Sequence, residues 1–322
     1  IQNIWKIFGN TSKEALDAIQ NKKISKQDYQ SIAVGFIHSY ANDFHETYLK
    51  NLLLKHLPKI MVSISSEVSP QMREYERFNT VCANAYVQPL IKTYLIRLQK
   101  KLFKQNIICP IFLMHSGGGI ISLENAAEFP VRLIESGPAG GAVFAAMVSK
   151  KHGIKNTLSF DMGGTTAKIC LIKNQKPKTS RVFEVARSYR FKKGSGMPIT
   201  IPVIDMVEIG AGGGSIAYVD DLQQIRVGPK SAGSNPGPAC YGLGGTSPAV
   251  TDADLFLGKL LEDGFAGGSI TLNKSKSERA LKKIIGDKIS MSEKTAAHGI
   301  SEVVDENMAN AARVHAVENG ED

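Results

Sequence analysis

The stretch Thr157–Ile172, TLSFDMGGTTAKICLI, decides the expected fold of this chain. A run rich in β-branched and aromatic residues leads into Asp161, and a second apolar run leaves from Ile169. Between the two runs lie two glycines and two threonines, Gly163, Gly164, Thr165 and Thr166. Short apolar runs separated by glycine predict a strand, a tight turn and a returning strand.

The predicted turn has the chemistry of a phosphate site. A glycine turn exposes successive backbone N–H groups with no Cβ in the way, so a phosphate can approach closely. The hydroxyls of Thr165 and Thr166 add donors, and Asp161 stands where a carboxylate could hold a phosphate-bound Mg²⁺. Lys168, on the returning strand, either neutralises phosphate charge or points to solvent. The spacing excludes a P-loop, and an ordinary glycine hairpin without a ligand remains the alternative.

The composition is that of a globular protein. The 322 residues are 43% hydrophobic and 21% charged, and a net charge of +9 is carried largely by lysine. That length supports one large or two ordinary domains, and no apolar run approaches the length of a membrane span. Because the lysines lack interleaved aromatic residues, they favour an anion-attracting surface over a nucleic-acid-binding module.

The cysteines indicate a reducing compartment. They are far apart, lie in apolar or glycine-rich surroundings and form no Cys-x-x-Cys pair. We therefore expect reduced, buried thiols and a cytoplasmic protein. The four positions are Cys82, Cys109, Cys170 and Cys240.

Strand-like and helix-like segments alternate along the chain, which predicts an α/β fold. Pro89 is expected to separate two helices, Arg73–Val87 and Pro89–Phe103. One apolar stripe on the second is expected in the core: Leu90, Tyr94, Leu95, Leu98 and Leu102. Gly228–Gly245 is expected to lack regular structure. The other predicted strands are Ser31–Ile37, Ile60–Ile64, Ile111–Met114, Arg181–Phe191, Ile199–Ile209 and Ser215–Val219, and the other predicted helices are Glu14–Asn21, Asp43–His56, Glu135–Val148, Asp252–Leu260, Ser275–Ile285 and Ser292–Glu318.

Glycine-rich turns follow strand-like runs at five places, after Met114, Glu135, Asp161, Ile209 and Ala239. Helix N-termini and open amides both favour anions, so we expect several of these loops to converge on phosphate. The predicted contacts outside the hairpin are Ser136, Gly137, Gly212, Gly213 and Gly214. A Rossmann fingerprint is excluded because Ser215 occupies the place of its third glycine, and no Gly-x-Ser-x-Gly elbow occurs.

Acid–base candidates lie beside these loops. Asp205 and Glu208 precede the Gly210–Gly214 loop and suit general-base or metal work, with surface charge at a strand end as the alternative. His115 ends a strand before three glycines and could titrate near neutral pH, with a structural role as the alternative. Asp252 is expected to be a helix N-cap. No His/Cys spacing resembles a zinc site.

Ten short blocks follow one another along nearly the whole chain. They are HSYAN (38–42), SSEV (65–68), REYER (73–77), NAYV (84–87), SGPAG (136–140), FDMGGT (160–165), EIGAGGGS (208–215), VGPKSAG (227–233), PGPACYG (236–242) and TDAD (251–254). In this order they resemble the hydantoinase A/oxoprolinase family. The match is specific because the blocks occur together, although each is weak alone.

The resemblance implies an actin/Hsp70/sugar-kinase-like (RNase H-like) ATPase core of two α/β lobes with a nucleotide cleft between them, here residues 1–135 and 136–322. It implies ATP and Mg²⁺ as cofactors. Asp161 would organise the metal, and the Gly163–Thr165 turn would hold phosphate. Asp205, Glu208 and the amides of the Gly212–Gly214 loop would face the reacting carbonyl.

Members of that family are ATP-dependent enzymes acting on cyclic amides, such as 5-oxoproline or hydantoins, or subunits of ketone carboxylases. The implied chemistry transfers the γ-phosphoryl group to an unreactive carbonyl or enol oxygen, after which water opens an amide ring. The implied partners are the small cyclic amide, a hydantoinase B-type subunit and further subunits of an oligomer, but neither nucleic acid nor a membrane. A ketone carboxylase subunit and an inactive binding or scaffold fragment remain the alternatives.

The chain is expected to be a fragment, incomplete at both ends. It starts at Ile1 and stops after Asn319-Gly320, a helix C-cap signal. The acidic-glycine-threonine motif of the family's N-terminus and a later glycine-rich nucleotide motif are not found in it.

Overall fold

The structure, a computed structural model, describes residues 4–9, 30–186, 188 and 194–320. Contacts divide the chain into two compact units. Unit 1 comprises Ile1–Met147 and Pro177–Asp205, and unit 2 comprises Val148–Lys176 and Met206–Asp322. The domain boundary expected between residues 135 and 136 stays a prediction. The predicted helix Glu14–Asn21 lies outside the described residues.

Along the described residues, strands and helices are interspersed up to residue 151, ten strands follow one another between residues 157 and 231, and the elements after residue 231 are helical. The strands are β1 Ile4–Gly9, β2 Ser31–Phe36, β3 Met61–Ile64, β4 Phe112–Met114, β5 Ile120–Ser122, β6 Thr157–Met162, β7 Ala167–Lys173, β8 Lys176–Pro177, β9 Thr179–Ser180, β10 Phe183–Val185, β11 Met197–Ile199, β12 Val203–Ile204, β13 Met206–Ile209, β14 Ser215–Val219 and β15 Ile225–Ser231. The α-helices are α1 Phe44–His56, α2 Ser65–Val68, α3 Glu74–Lys104, α4 Leu123–Glu128, α5 Ser136–Lys151, α6 Val250–Phe256, α7 Lys274–Leu281, α8 Asp287–Ile289 and α9 Glu293–Glu318. None of these helices is both long and apolar enough to cross a bilayer.

Unit 1 is built on a parallel sheet in the order β1-β2-β3, with Ser31 of β2 opposite Met61 of β3. Strand β2 is buried along its whole length, which is typical of a parallel strand covered on both faces. One face packs against α1. The other face, through Ala33, packs against Val81 and Ala85 of α3.

Helix α3 runs unbroken from Glu74 to Lys104, so the predicted break at Pro89 is wrong. Proline has no N–H and leaves the carbonyl four residues earlier, that of Ala85, without its helical donor. The hydroxyl of Ser31 supplies a replacement and donates to the Ala85 carbonyl oxygen at 2.6 Å in a buried position. The helix continues because a neighbouring strand satisfies the carbonyl that the proline leaves unpaired.

The apolar stripe predicted for the second half of α3 lies only partly in the core. Leu95 is 1% exposed and packs against α4, and Leu98 borders the same cluster. Leu102 is half-buried. Leu90 and Tyr94, in contrast, are 73% and 58% exposed, so the expectation that they are core residues is wrong. Helical spacing places residues on one face but does not tell which part of that face a neighbour covers.

Two of the sequence blocks, SSEV and REYER, meet at a buried polar network in unit 1. The carboxylate of fully buried Glu46 accepts hydrogen bonds from the Phe36 N–H (2.8 Å), the Ser65 hydroxyl (2.6 Å) and the N–H and hydroxyl of Ser66 (both 2.8 Å). Arg77, 1% exposed, donates to the Ser65 hydroxyl at 3.0 Å and to the Phe36 carbonyl at 2.7 Å. These two blocks therefore hold unit 1 together.

Unit 2 is built on an antiparallel sheet in the order β13-β7-β6. Ala167 and Ile169 of β7 are fully buried and belong to one core cluster with Val304 of α9. Helix α9 begins after Ser292, whose hydroxyl accepts the N–H of Thr295 at 3.2 Å, as an N-cap does. Strands β14 and β15 form a second antiparallel pair.

The segment Gly228–Gly245 was predicted to lack regular structure, but part of it is regular. Strand β15 continues to Ser231, and a 3₁₀ turn covers Ala239–Tyr241. Strand β15 contains Gly228 and Pro229, which are uncommon in strands, so the sequence did not predict it. Among the described strands it pairs with β14. Within the described residues, the predicted strands Arg181–Phe191 and Ile199–Ile209 are replaced by shorter strands, β10 to β13.

All four cysteines are thiols rather than halves of a disulfide, but they are not all buried. Cys170 and Cys240 are buried, and Cys82 is half-buried. Cys109 is exposed, so the expectation of a buried thiol is wrong at this position.

Candidate functional site

The hairpin predicted around Asp161 is present in unit 2. Strands β6 and β7 pair antiparallel from Thr157 opposite Ile172 to Met162 opposite Ala167. The turn closes with a hydrogen bond from the Gly163 N–H to the Thr166 carbonyl at 2.9 Å. Strand β7 is anchored in the core, whereas residues 161–165 are exposed. The hairpin is therefore packed in the core at its base and exposed at its tip.

The tip offers donors that the protein does not use. Among the described residues, the N–H groups of Gly164 and Thr165 have no acceptor, and the hydroxyls of Thr165 and Thr166 have no hydrogen-bond partner. A Cβ built on Gly164 would meet no atom within 4 Å. Exposed amides that converge without a side chain between them suit an anion.

A second glycine loop, Gly210–Gly214, lies against this turn. The Gly213 N–H donates to the Gly163 carbonyl at 3.0 Å, and the Gly214 N–H donates to the Gly164 carbonyl at 2.7 Å. A Cβ on Gly212 would lie 2.6 Å from the Gly163 carbonyl oxygen, so only glycine allows this approach. The structure therefore brings together two of the five glycine-rich turns, those after Asp161 and Ile209.

The second loop's amides serve the protein itself. The Gly212 N–H donates to the Ser215 hydroxyl at 2.9 Å, and those of Gly213 and Gly214 donate to the hairpin turn. Sequence analysis expected these amides to face phosphate or the reacting carbonyl. In this structure they are already engaged, because the loop uses them to hold the turn.

Three predicted site residues form a row across the sheet. Asp161 of β6 lies opposite Lys168 of β7, which lies opposite Glu208 of β13. Directly opposite residues share one face of a sheet, and the Lys168 Nζ is 3.8 Å from a Glu208 carboxylate oxygen. Lys168 is 13% exposed and Glu208 53% exposed, so the lysine is directed to Glu208 rather than to solvent. Cross-strand register assembled this row, which spacing along the sequence could not indicate.

Asp161 is the residue available to a metal ion. Its exposed carboxylate forms no hydrogen bond or ion pair with another described residue. The described residues contain no group of three or more His, Cys, Asp or Glu side chains arranged to hold a metal ion. Magnesium commonly binds through one or two carboxylates together with phosphate oxygens and water, so a single carboxylate beside a phosphate turn fits that ion.

The other predicted site residues belong to unit 1. Ser136 and Gly137 begin helix α5. Asp205 makes an ion pair with Lys178, at 3.8 Å between the charged atoms, and its N–H donates to the Lys178 carbonyl at 2.8 Å. Although Asp205 and Glu208 are close in sequence, they belong to different units.

His115, also in unit 1, sits over the glycines that follow it. Its Nδ1 accepts the Gly117 N–H at 3.0 Å, and a Cβ on Gly119 would lie 2.6 Å from Nε2. Burial, and then the positive charge of Arg132, lower the pKa of His115 below its ordinary value of 6.5. The ring is therefore a neutral acceptor near pH 7, held by its own loop.

Asp252 has a structural role at the start of α6, but not at the predicted position in the helix. It is not the N-cap of α6 but lies inside its first turn, with 0% exposure. Its carboxylate accepts the N–H groups of Ala249, Ala239 and Cys240, at 2.8, 3.1 and 2.8 Å, and the Ser277 hydroxyl at 2.8 Å. Burial, and then the adjacent Asp252, raise the pKa of the Cys240 thiol, so this thiol stays protonated.

Thr251, which precedes Asp252, was not among the predicted site residues. Thr251 is 4% exposed, and both its N–H and its hydroxyl donate to the Gly213 carbonyl, each at 2.8 Å. The only sequence signal was its place at the head of the TDAD block. A threonine there is as typical of an ordinary helix start as of a site.

Comparison with known proteins gives one family and the same fold. The sequence model described as Hydantoinase/oxoprolinase matches residues 77–322. The protein MJ0964 of Methanocaldococcus jannaschii is 41% identical over 93% of this chain and 44% of its own length. The caprolactamase subunit alpha of Pseudomonas jessenii is 37% identical over 92% of this chain and 41% of its own length.

Solved structures show the same fold. A nucleotide-free acetone carboxylase structure, from a study of ATP-dependent acetone carboxylation, superposes with a TM-score of 0.76 at 26% identity, covering 96% of this chain and 42% of that one. The ATP-dependent caprolactamase of P. jessenii superposes with a TM-score of 0.69 at 35% identity, covering 94% and 42%. These matches confirm the predicted α/β ATPase-core fold. The chain spans about two fifths of the length of each of the matched chains named here.

Proposed function

Because the chain belongs to the hydantoinase/oxoprolinase family, we propose that it is the nucleotide-binding part of an ATP-dependent enzyme that opens a cyclic amide of the hydantoin or 5-oxoproline type. A caprolactam-opening relative with the same fold supports an amide substrate. The observation that carries the proposal is the hairpin tip, where open amides and hydroxyls lie beside an unpaired carboxylate.

The phosphate turn is the first element of the proposed site. The N–H groups of Gly164 and Thr165 and the hydroxyls of Thr165 and Thr166 donate to phosphate oxygens, and Gly163 keeps the approach free of side chains. Asp161 would hold Mg²⁺ together with those oxygens. When bound, the nucleotide would transfer its γ-phosphoryl group to the amide oxygen and release ADP, which would open the amide carbon to attack by water with the ring nitrogen as the leaving group. The chain's own contribution is to hold and orient the phosphates.

Acid–base residues complete the proposed site. The carboxylate of Glu208, on the same sheet face as Asp161 and 53% exposed, accepts a proton from the attacking water. Its neighbour Lys168 steadies that carboxylate. Asp205 and His115, predicted for proton transfer, and Ser136 and Gly137, predicted for phosphate contact, belong to unit 1 and stay predictions.

Calorimetric titration of the complete protein that contains this chain with Mg·ATP tests the proposal. We expect wild-type binding, weakening of about tenfold in Thr165→Ala, and a larger loss in Asp161→Ala that excess Mg²⁺ partly restores. Thr93→Val is the matched control, because this exposed hydroxyl on α3 only donates to the Pro89 carbonyl. Unchanged affinity in both hairpin variants would refute the proposed site.

A ketone carboxylase subunit is the second candidate, favoured by the TM-score of 0.76 to an acetone carboxylase. Coupled ATP hydrolysis by the complete protein with its partner distinguishes the two functions. One assay uses hydantoin or 5-oxoproline, and the other uses a ketone with bicarbonate. Binding without turnover in either assay would leave a binding or scaffold protein.

We also propose a second subunit as partner. The matched caprolactamase chain is itself called a subunit alpha, which supports an oligomer containing a hydantoinase B-type subunit. Co-purification of the complete protein with the product of a neighbouring gene tests this. The cytoplasmic location stays a prediction from the cysteines.

A further inference from the structure

One buried contact of the site has no role in the proposed chemistry. The N–H and the hydroxyl of Thr251 converge on the carbonyl oxygen of Gly213, each at 2.8 Å. The N–H of the same glycine donates to the Gly163 carbonyl at 3.0 Å. Gly213 therefore links the Thr251 side chain to the turn Gly163–Thr166 through hydrogen bonds on both sides.

The element that carries Thr251 is itself fixed. Val250 and Ala253, on either side of Thr251 and Asp252, belong to the core cluster of unit 2. Of the four hydrogen bonds that Asp252 accepts, three bind the start of α6 to the 3₁₀ turn at Ala239–Tyr241 and to Ser277 of α7, and the fourth comes from the N–H of Ala249, the N-cap of α6. Thr251 thus connects a rigid part of the unit to an exposed turn.

The structure leaves no room for a side chain at Gly213. A Cβ on Gly213 would lie 2.8 Å from the Thr251 hydroxyl oxygen, so the hydroxyl occupies the space next to the glycine. On the other side of the loop, the Gly214 carbonyl accepts the Ala232 N–H at 2.8 Å. Hydrogen bonds from Thr251 and Ala232 thus fix the carbonyl groups of the second glycine loop, and the loop's own N–H groups donate to the turn.

We infer that Thr251 is a positioning residue, whose buried hydroxyl fixes the second glycine loop and thereby sets the geometry of the turn Gly163–Thr166. The inference rests on the proposed function where it concerns the nucleotide. Thr251 does not touch the nucleotide itself. Loss of its hydroxyl leaves the Gly213 carbonyl with one donor, so the loop and turn lose part of the preorganisation on which phosphate binding depends.

The test compares Thr251→Val, Thr251→Ser and Thr80→Val in the complete protein that contains this chain. Thr80→Val is the matched control, because Thr80 is also fully buried and its hydroxyl bonds to backbone, but in unit 1. Amide hydrogen exchange at Gly213 and Gly214 reports the linkage without nucleotide, and calorimetry reports Mg·ATP affinity. All measurements are made well below the unfolding temperature of each variant.

We expect Thr251→Val to raise exchange at both amides and to weaken Mg·ATP binding, each by about tenfold. Thr251→Ser, which keeps the donor, should stay within about twofold of wild type in both. Thr80→Val should lower the unfolding temperature and change neither quantity. Gly213→Ala offers a second route if Thr251→Val does not fold, because its Cβ displaces the same hydroxyl.

Wild-type exchange at Gly213 and Gly214 in Thr251→Val, or equal effects of Thr251→Val and Thr251→Ser, would overturn the inference. A wild-type chain that does not bind Mg·ATP would sink the proposed function. The exchange comparison would still decide whether Thr251 positions the turn.

Discussion

Gly212 and Gly163 touch backbone to backbone: a Cβ on Gly212 would lie 2.6 Å from the carbonyl oxygen of Gly163. The same Cβ would lie 2.8 Å from the backbone nitrogen of Thr165. Because the atoms in the way belong to the main chain, no side-chain rotation can relieve the overlap. The contact between the two loops therefore depends on the absence of a side chain at residue 212.

Gly212→Ala should separate the two loops and lower the free energy of unfolding by about 2 kcal/mol or more. Urea unfolding of the full chain measures this. Gly264→Ala is the control, because its Cβ would meet its nearest atom only at 3.8 Å, and its effect should stay within about 0.5 kcal/mol. Equal midpoints for the two variants would show that the loops are not in contact.

Ser31→Ala should destabilise the protein by about 1–3 kcal/mol, because the buried Ala85 carbonyl loses the hydroxyl that replaces its helical donor. Pro89→Ala restores an N–H at the place where the helix normally supplies one. In the Pro89→Ala background, Ser31→Ala should therefore cost clearly less, and a double-mutant cycle from urea unfolding measures the difference. Strict additivity of the two substitutions would disprove the compensation.

Glu46→Gln should destabilise unit 1 by about 3 kcal/mol, since an amide NH₂ would face donors that now bond to a carboxylate. Thermal unfolding of the full chain provides the measurement. Glu67→Gln serves as control: Glu67 pairs with Lys50 at 2.6 Å but is 36% exposed, and its loss should cost about 1 kcal/mol or less. Similar losses for both would mean that the Glu46 network is not a core element.

The His115 imidazole should make stability depend on pH. Its folded pKa is lowered by burial and by Arg132, so the unfolded chain binds its proton more readily. The contribution is fully present above the unfolded value of 6.5 and is lost as pH falls through the folded value. Unfolding free energies of wild type and His115→Gln, measured from neutral pH downward, should converge on acidification. A constant difference between the two proteins would contradict the lowered pKa.

The central hairpin could be predicted because its signal is local. β-Branched runs bounded by glycine at Gly163 and Gly164 leave few alternatives to a strand, a turn and a returning strand. The α/β fold followed in the same way from alternating segments. The partner of that hairpin could not be predicted, since the Gly212–Gly214 loop meets the turn only through the fold of unit 2.

The errors have the same origin. Proline at residue 89 is a sound local signal for a helix end, but Ser31 removes the penalty from a distant strand. The spacing of Leu90 and Leu95 is equally apolar, yet only Leu95 has a neighbour to bury it. The Gly212–Gly214 amides look like ligand donors until their acceptors on the hairpin are known.

The hydrogen bond between Ser31 and the Ala85 carbonyl also has an evolutionary consequence. A mutation that removed the hydroxyl while proline persisted would be penalised, whereas the same mutation after loss of proline would be nearly silent. Residues 31 and 89 should consequently be inherited as a pair, and homologues that replaced the proline should show relaxed selection on the serine.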